Sequence, residues 1–399
     1  MEDWCRFSVC YWHTFRGVGA DMFGFGTIER PWEDGTDSVE NAQRRAKVAI
    51  EFTRRLGVKY FAFHDRDIAP EGKNIVESNS NLDKVGATIK EEMAKKGVKL
   101  LWGTSNLFSH PRYMNGAATN PDINAFAYAG AQVKKCLELT KLLGGENFVF
   151  WGGREGYQTI LNTNVKAELD HFAAFLKMAA DYKKKIGFTG QLLIEPKPRE
   201  PTKHQYDYDA QTVIGFLKHY GLDKDFKLNI EPNHTTLAGH DYEHDIEVAS
   251  RYGMLGSVDS NTGDTLLGWD TDQFPMDVKK TTLVMQAVVR QDGLAPGGLN
   301  FDCKVRRESV DIEDMFIAHI GAIDAFARGL RNAAKIKEDA VIPGLVKARY
   351  ASWDSDLGKK IMSGECTFED LDKYAQEKGE PAVTSGKQEK FELLYNTYV

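Results

Sequence analysis

The segment NVKAELDHFAAFLKMAADYKKKIG, from Asn164 to Gly187, is followed almost at once by the short apolar run GQLLIE, from Gly190 to Glu195. The first segment places apolar residues three and four positions apart and closes on a glycine, which predicts an amphipathic helix. The second is short, continuous and aliphatic, which is typical of a buried strand. A helix that leads directly into a buried strand is the repeating unit of a parallel α/β fold.

The same alternation recurs along the chain. Helical segments such as SVENAQRRAKVAIEFTRRLG and NLDKVGATIKEEMAKKG separate short apolar runs that predict strands. There are eight such runs, namely RFSVCY, VKYFAF, VKLLWG, NFVFW, GQLLIE, FKLNIE, MLGSVD and GGLNFD. Eight strands are more than an open doubly wound sheet usually contains, so we expect an α/β fold of the (β/α)8 TIM-barrel type.

The character of the chain changes after about residue 330. We expect a catalytic barrel domain over residues 1–330 and a C-terminal, mainly helical extension over residues 331–399, where the chain is polar and poor in apolar clusters. Such a segment buries too little to form its own core. It is either a solvated extension or an arm that buries scattered apolar residues, Trp353 among them, against a neighbouring subunit; we favour the arm.

Composition excludes several classes of partner. The 399 residues carry a net charge of -7 without a long run of Lys or Arg, so we expect no nucleic-acid partner. No segment approaches about 18 uninterrupted apolar residues, and the N-terminus lacks the pattern of a signal peptide, so we expect no membrane partner. The five cysteines form no C-x-x-C pair, which favours a cytoplasmic protein.

Carboxylates close four successive predicted strands. The runs LLIE, LNIE, GSVD and LNFD end on Glu195, Glu231, Asp259 and Asp302. Catalytic groups of this barrel type come from the C-terminal ends of its strands, so we expect these carboxylates to lie together. Four carboxylates about 4 Å apart would repel by roughly 4 kcal/mol per pair, so protons or cations must neutralise them.

Further ligand types lie close by in sequence. His234 follows Glu231, and the loop after Asp259 carries Asp270 and Asp272. Carboxylates with one imidazole and no thiolate favour Mg²⁺, with Mn²⁺ or Co²⁺ as competitors. We interpret the set as two metal sites that share Glu231, the second completed by His234, Asp270 and Asp272. The alternative is salt bridging, for which Lys197 and the KVRR run are the only nearby cations.

Other strand ends carry different chemistry. His64 and Asp67 follow the second strand, where the carboxylate could orient the imidazole as a general acid or base. Lys197, next to Glu195 in the EPKP segment, could polarise a substrate oxygen or simply pair with a carboxylate. Three aromatic residues after strands one, three and four could form an apolar wall, or they belong to the core: Trp12, Phe108 and Trp151.

Six segments together resemble the motifs of the xylose isomerase family, in its longer-chain class, class II. They are FHDRDIAPEG, VFWGGREGYQTILNT, LLIEPKPREPTKHQYD, NIEPNHTTLAGHDYEHD, GWDTDQFP and FDCKVRRES. The resemblance implies a homotetrameric aldose-ketose isomerase that interconverts D-xylose and D-xylulose, and commonly D-glucose and D-fructose, with two Mg²⁺ ions per subunit. The additional N-terminal segment of longer-class members is absent before Met1, and we expect this to affect the tetramer rather than the chemistry.

The resemblance also implies roles for individual residues. His64, supported by Asp67, would open the sugar ring, and Lys197 would hydrogen-bond the carbonyl oxygen of the open chain. The substrate-binding metal would be held by Glu195, Glu231, Asp259 and Asp302, and the second metal by Glu231, His234, Asp270 and Asp272. Residues lining the sugar pocket would be Thr104, Phe108 and Trp151, with Phe23 contributed by a neighbouring subunit.

Isomerisation must move a hydrogen between C1 and C2 of the sugar. Two metals in a pocket that excludes water favour a hydride shift over an enediol route. Two rival hypotheses stay open: a metal-dependent phosphodiesterase acting on DNA, which would need a basic groove, and a catalytically silent sugar-binding barrel. Conversion of D-xylose distinguishes them.

Overall fold

The structure, a computed structural model, describes residues 3–399 and confirms the predicted barrel. Eight parallel strands close on one another, and each contains part of one of the eight predicted runs. The strands are β1 (Phe7–Cys10), β2 (Tyr60–His64), β3 (Lys99–Thr104), β4 (Asn147–Trp151), β5 (Gly156–Tyr157), β6 (Gln191–Glu195), β7 (His204–Gln205), β8 (Phe226–Ile230), β9 (Leu255–Asp259) and β10 (Leu299–Phe301). Strands β5 and β7 form a separate antiparallel pair, and the other eight form the barrel in the order β1-β10-β9-β8-β6-β4-β3-β2.

Helices surround the barrel and continue beyond it. They are α1 (Val39–Arg55), α2 (Asp65–Ile68), α3 (Ile75–Lys96), α4 (Ile123–Leu142), α5 (Val165–Ile186), α6 (Ala210–His219), α7 (Pro232–Leu237), α8 (His244–Arg251), α9 (Val278–Arg290), α10 (Ile312–Asp339), α11 (Val341–Arg349), α12 (Asp356–Ser363), α13 (Phe368–Lys378) and α14 (Gln388–Asn396). Helix α5, which leads into the apolar run GQLLIE, starts at an Asn164 side-chain cap and ends at Gly187, whose φ of 65° suits glycine. No helix among residues 3–399 is both long enough and apolar enough to cross a bilayer.

The alternation of side chains along each strand determines what reaches the barrel interior. In β2, Phe61 and Phe63 pack outward in the large core between strands and helices, whereas Tyr60 and Ala62 belong to a small core inside the barrel. His64 has the same parity as Tyr60 and Ala62, so the strand delivers its imidazole to the interior at its C-terminal end. The apolar run therefore positions the functional residue that ends it.

The four carboxylate strands follow the same rule. Leu193 of β6 lies in the inner core, two residues before Glu195. In β8 and β10 the equivalent inner positions hold Asn229 and Asn300, both fully buried. Strands β6, β8, β9 and β10 are neighbours in the barrel, so their ends meet at one edge.

The segment after residue 340 packs differently from the barrel. Helices α11, α13 and α14 contain no buried residue, whereas α10 buries eight. Several large apolar side chains of the segment are exposed, with Trp353 half exposed and Phe368 87% exposed. The boundary predicted at residues 330 and 331 falls within the continuous helix α10. The division into domains remains a prediction.

Candidate active site

Four carboxylates meet at the C-terminal edge of the barrel. Glu195 and Asp259 end β6 and β9, whereas Glu231 and Asp302 directly follow β8 and β10. Each offers an oxygen, and the four oxygens lie within 4.8 Å of one another. All four residues are at least nine-tenths buried. The expectation that the strand ends bring these side chains together is met by the geometry.

Burial makes this cluster unfavourable when it is fully ionised. Desolvation, followed by the charges of Asp259 and Asp302, raises the pKa of Glu195 well above its ordinary value. Burial and the charge of Asp270 likewise raise the pKa of Glu231 well above its ordinary value. Burial and the charge of Asp302 raise the pKa of Asp259 to about 8. A bound dication would satisfy the same oxygens without protons.

Basic partners are distributed unevenly over the site. Lys197 Nζ lies 2.6 Å from Asp270 Oδ2, and Lys304 Nζ lies 3.1 Å from Asp272 Oδ2. His13 Nε2 lies 3.0 Å from Asp272 Oδ2 and 3.2 Å from Asp302 Oδ1. For Asp270, Asp272 and Asp302, these pairs agree with the salt-bridge interpretation.

The remaining three acids lack a lysine or arginine partner, and among residues 3–399 the only basic side chain that pairs with Glu195 and Glu231 is His234, at 3.8 Å and 3.2 Å. Within residues 3–399, neither Lys nor Arg forms an ion pair with Glu195, Glu231 or Asp259. Buried carboxylates without a cation carry a large desolvation cost. The donor set therefore fits a hard divalent metal ion, and salt bridges do not account for the whole cluster.

A second group of oxygens shares Glu231 with the first. Glu231, Asp270 and Asp272 offer oxygens within 4.8 Å of one another, and His234 forms a further group with Glu195 and Glu231. His234 Nε2 lies 3.2 Å from Glu231 Oε1 and 3.3 Å from Asp270 Oδ2. Glu231 is thus common to all three groups, as the interpretation of two sites requires.

The ring of His234 is oriented for ligation. Its Nδ1 lies 3.0 Å from the carbonyl oxygen of Pro196, which can only accept a hydrogen bond, so Nδ1 carries the proton. The free Nε2 then faces the carboxylates of Glu231 and Asp270. A backbone carbonyl that fixes the tautomer in this way is typical of metal-binding histidines.

Lys197 forms its closest ion pair with Asp270, which is distant in sequence, and not with the nearby Glu195. Its ammonium contacts Asp270 rather than Glu195 and lies 5.3 Å from the centre of the Trp151 ring. Burial alone would lower the pKa of Lys197, but the charge of Asp270 raises it above its ordinary value. Burial alone would raise the pKa of Asp270, but Lys197 and His234 hold it well below its usual range.

His64 and Asp67 form the expected pair. His64 Nδ1 donates to Asp67 Oδ2 at 2.9 Å, which leaves Nε2 without a proton when the ring is neutral. The His64 ring lies between aromatic neighbours, with ring-centre distances of 4.2 Å to Trp12 and 5.7 Å to Phe108. His64 is buried, and it lines the same cavity as the acids.

This cavity of about 150 Å³ joins the carboxylates to an aromatic wall. Phe108 and Trp151 meet edge to face at 4.4 Å, and Thr104 donates its hydroxyl to the Val149 carbonyl at 2.5 Å. The cavity is lined by Trp12, His13, His64, Trp102, Thr104, Phe108, Val149, Trp151, Glu195, Glu231, His234, Asp259, Asp270, Asp272 and Asp302. Every predicted metal ligand and the predicted pocket residues Thr104, Phe108 and Trp151 therefore surround one space.

Phe23 is not part of this cavity. Its side chain is 79% exposed, and its ring lies 6.3 Å from that of Trp269. The chain's own pocket is therefore formed without Phe23.

Sequence reasoning missed several groups that hold the acids in place. Asn229 Nδ2 donates to Glu195 at 2.8 Å and to Asp259 at 3.0 Å, and Asn300 Nδ2 donates to Asp259 at 2.8 Å. Asn261 Nδ2 donates to Glu231 at 2.6 Å. Asn229 and Asn300 stand two residues before a carboxylate, so alternation along the strand could have identified both.

His13 was also missed, and no local pattern would have identified it. It lies in a π-helical turn, Trp12–Arg16, that is separated from the end of β1 by one residue. Burial alone would lower the pKa of His13, but hydrogen bonds to Asp272 and Asp302 raise it to about 9. The neighbouring Trp12 donates its indole N–H to Asp302 at 2.8 Å.

Known proteins resemble the chain over its whole length. Residues 50–269 match the family model described as "Xylose isomerase-like TIM barrel", and residues 346–399 match "XylA2 C-terminal domain". Proteins named xylose isomerase from Arabidopsis thaliana and Rhodopirellula baltica are each 58% identical to it. The alignments cover 100% of this chain, with 83% of the first relative and 91% of the second.

Solved structures share the fold at much lower identity. An L-ribulose 3-epimerase superposes with a TM-score of 0.58 at 16% identity, over 84% of this chain and 98% of that one. A D-psicose 3-epimerase from Clostridium cellulolyticum superposes with a TM-score of 0.55 at 14% identity, over 82% of this chain and 99% of that one. Both likenesses concern the fold alone.

Proposed function

This chain belongs to the xylose isomerase family and is an isomerase, and we propose from this premise that it interconverts D-xylose and D-xylulose. We extend the proposal to D-glucose and D-fructose, which present the same carbons C1 and C2. The observation that supports it most directly is that Glu231 belongs to two groups of acid oxygens, which line one cavity together with His64.

Two Mg²⁺ ions, for which Mn²⁺ or Co²⁺ could substitute, are the cofactors we propose. One would be held by Glu195, Glu231, Asp259 and Asp302, and the other by Glu231, His234, Asp270 and Asp272. When bound, such ions polarise neighbouring oxygens of the open-chain sugar.

His64 is the group we assign to ring opening. Because Nδ1 donates to Asp67, Nε2 is left to accept the proton of the anomeric hydroxyl and to return it to the ring oxygen. Asp67 acts through His64 by fixing this tautomer. The rings of Trp12 and Phe108 beside His64 would limit access of water to the bound sugar.

Lys197 is the group we assign to the open-chain carbonyl. Its ammonium has three donors, of which the contact with Asp270 uses one. Hydrogen then moves with its electron pair from C2 to C1, so that the C2 alcohol is oxidised and the C1 aldehyde is reduced. The proton of the C2 hydroxyl ends on the C1 oxygen, and the reaction needs no external oxidant.

We further propose which residues contact the sugar and how copies of the chain assemble. Thr104, Phe108 and Trp151 would contact the sugar, and Phe23, which is exposed in its own chain, would cover the pocket of a neighbouring copy. We propose a homotetramer in the cytoplasm, in which the exposed apolar residues after position 340 pack on that neighbour. The five free cysteines are consistent with a reducing compartment.

Turnover of D-xylose tests the proposal. We expect D-xylulose from the wild-type protein with Mg²⁺, and a loss of about 10²- to 10⁴-fold in kcat in His64→Gln when the cyclic sugar is supplied. Glutamine keeps the size but cannot exchange the proton. Absence of ketose from folded wild-type protein with Mg²⁺, Mn²⁺ or Co²⁺ would remove the proposed function.

The fate of the C2 hydrogen tests the hydride shift separately. In D₂O we expect the product to keep the original hydrogen at C1. Rapid incorporation of deuterium during turnover would indicate an enediol and would contradict the hydride route while leaving the isomerase assignment intact.

A further inference from the structure

A second group of potential metal ligands lies on the outside of the barrel. His240 and His244 flank the start of α8, and Asp245 is the second residue of that helix. The three side chains each offer a ligand atom, and these atoms lie within 4.8 Å of one another. None of the three belongs to the cavity that holds the acids at the strand ends.

The neighbouring helix α6 holds one of these histidines in position. His240 Nε2 lies 3.2 Å from Asp209 Oδ2. The other oxygen of Asp209 accepts from the backbone N–H of Thr212 at 2.8 Å and caps α6, so the carboxylate is itself fixed. With a proton on Nε2 shared with Asp209, the Nδ1 atom of His240 has a free lone pair.

Asp245 supplies the second observation. It is only 3% exposed, and its Oδ1 has no hydrogen-bond partner among residues 3–399. Its Oδ2 accepts one long hydrogen bond, from the Ala210 N–H at 3.3 Å. A buried carboxylate oxygen without a donor is costly unless a cation occupies the space beside it.

His244 is likewise free to act as a ligand. Its ring stacks on that of His240, with centres 4.3 Å apart and planes inclined by 26°. No hydrogen bond to the His244 imidazole occurs within the part of the chain that the structure describes, residues 3–399. Both histidines are half-buried, so the group is open to solvent on one side.

We propose that His240, His244 and Asp245 bind one Zn²⁺ ion or a similar transition-metal dication, with Asp209 as the partner that orients His240. Two imidazoles and one carboxylate favour zinc over magnesium, which prefers oxygen ligands. Three protein ligands and a solvent molecule complete the usual four-coordinate arrangement, and a carboxylate behind a ligating histidine is a recurrent support. The site is independent of the proposed sugar chemistry.

Such an ion would connect two neighbouring helices on the outside of the barrel, α6 and α8. His244 and Asp245 are the first two residues of α8, His240 precedes that helix, and Asp209 caps α6. Zinc bonds of about 2.0–2.2 Å require the donor atoms to move closer together by roughly 1 Å, which side-chain rotation can supply. Its role would therefore be structural.

Zinc retention in matched variants tests the site. Wild type, His244→Gln and His171→Gln would be loaded with Zn²⁺ in excess Mg²⁺ and dialysed together, and zinc per chain would be measured. His171 is an exposed histidine on α5 and serves as the control. Zinc in the strand-end acids is common to all three proteins, so we expect His244→Gln alone to lose one equivalent. Equal zinc in all three proteins would overturn the proposal.

A measurement on the wild type avoids any effect of substitution on folding. Crystals grown with Zn²⁺ should give an anomalous peak at the zinc edge among His240, His244 and Asp245. A map with zinc at the strand-end acids and none at this group would also overturn the proposal.

Discussion

Glu231 is the residue on which the two proposed metal sites depend. It belongs to both groups of acid oxygens, whereas Asp259 belongs to one. We therefore expect Glu231→Gln to lose both bound Mn²⁺ equivalents and Asp259→Asn to lose only one, as measured by equilibrium dialysis of folded protein. Retention of one equivalent by Glu231→Gln at wild-type affinity would show that the sites do not share this ligand.

A buried acid behind the pocket predicts a dependence of stability on pH. Burial, and then the charge of Glu155, raises the pKa of Asp207 to about 8. The folded state therefore holds a proton that the unfolded state releases near pH 4, and this group costs stability as pH rises from about 4 to 8. Asp207→Asn removes that cost, so its free energy of unfolding relative to wild type should increase by up to about 1.4 kcal/mol per pH unit over this range.

Denaturant unfolding at pH 5 and pH 8 measures the difference for Asp207→Asn. The same substitution at the exposed Asp372 controls for the loss of a carboxylate. An Asp207→Asn protein whose stability follows that of wild type at both pH values would show that Asp207 is ionised in the folded state.

Single residues show how far the site could be predicted from the sequence. The strand-end acids were predictable because parallel strands end at the same edge, and Glu195, Glu231 and Asp259 indeed meet there. The role of His13 was not predictable, because its partner Asp302 lies 289 residues away in sequence. The two residues meet only because β1 pairs with β10 to close the barrel. Pairing of Lys197 with Asp270 likewise depends on how a long loop folds back.

At the scale of elements, the carboxylate of Glu155 connects the loops after β3 and β4 through hydrogen bonds. Glu155 accepts hydrogen bonds from the backbone N–H groups of Ala117, Ala118 and Thr119 and from the Thr119 hydroxyl. The first of these loops carries Phe108, and the second begins directly after Trp151, so both adjoin the aromatic wall of the pocket. The fixed geometry of that wall therefore rests partly on a residue outside it.

Removal of this carboxylate should loosen both loops. We expect Glu155→Ala to lower the free energy of unfolding by about 3 kcal/mol, because several buried N–H groups lose their acceptor. It should also raise KM for the sugar. Glu40→Ala, at an exposed position of α1, should change stability by less than about 0.5 kcal/mol. Similar effects of the two substitutions would show that the Glu155 contacts contribute little.

The strands and helices themselves were largely predictable. Each apolar run became a barrel strand because burial on both faces demands continuous apolar residues. The antiparallel pair of β5 and β7 was not predicted, since two strands of two residues each leave no periodic pattern. Its pairing is long-range, between Gly156 and Gln205.

At the scale of the whole molecule, the segment after residue 340 should hold copies of the chain together. Trp353 and Phe368 are exposed there in a single chain. We expect Trp353→Ser combined with Phe368→Ser to shift the protein from the proposed tetramer to smaller species in sedimentation experiments. Val76→Ser, at an exposed apolar position of α3, should leave the assembly unchanged. An intact tetramer in the double variant would contradict the role of the arm.

The central claim joins the strand-end acids to sugar isomerisation, and removal of metal tests it most directly. Wild-type protein would be stripped with a chelator, shown to be folded, and titrated with Mg²⁺ while D-xylulose and bound Mg²⁺ are both measured. We predict no ketose from the stripped protein and a return of activity as two Mg²⁺ ions bind per chain. Full activity without metal, or no activity in folded protein with two ions bound, would contradict the account.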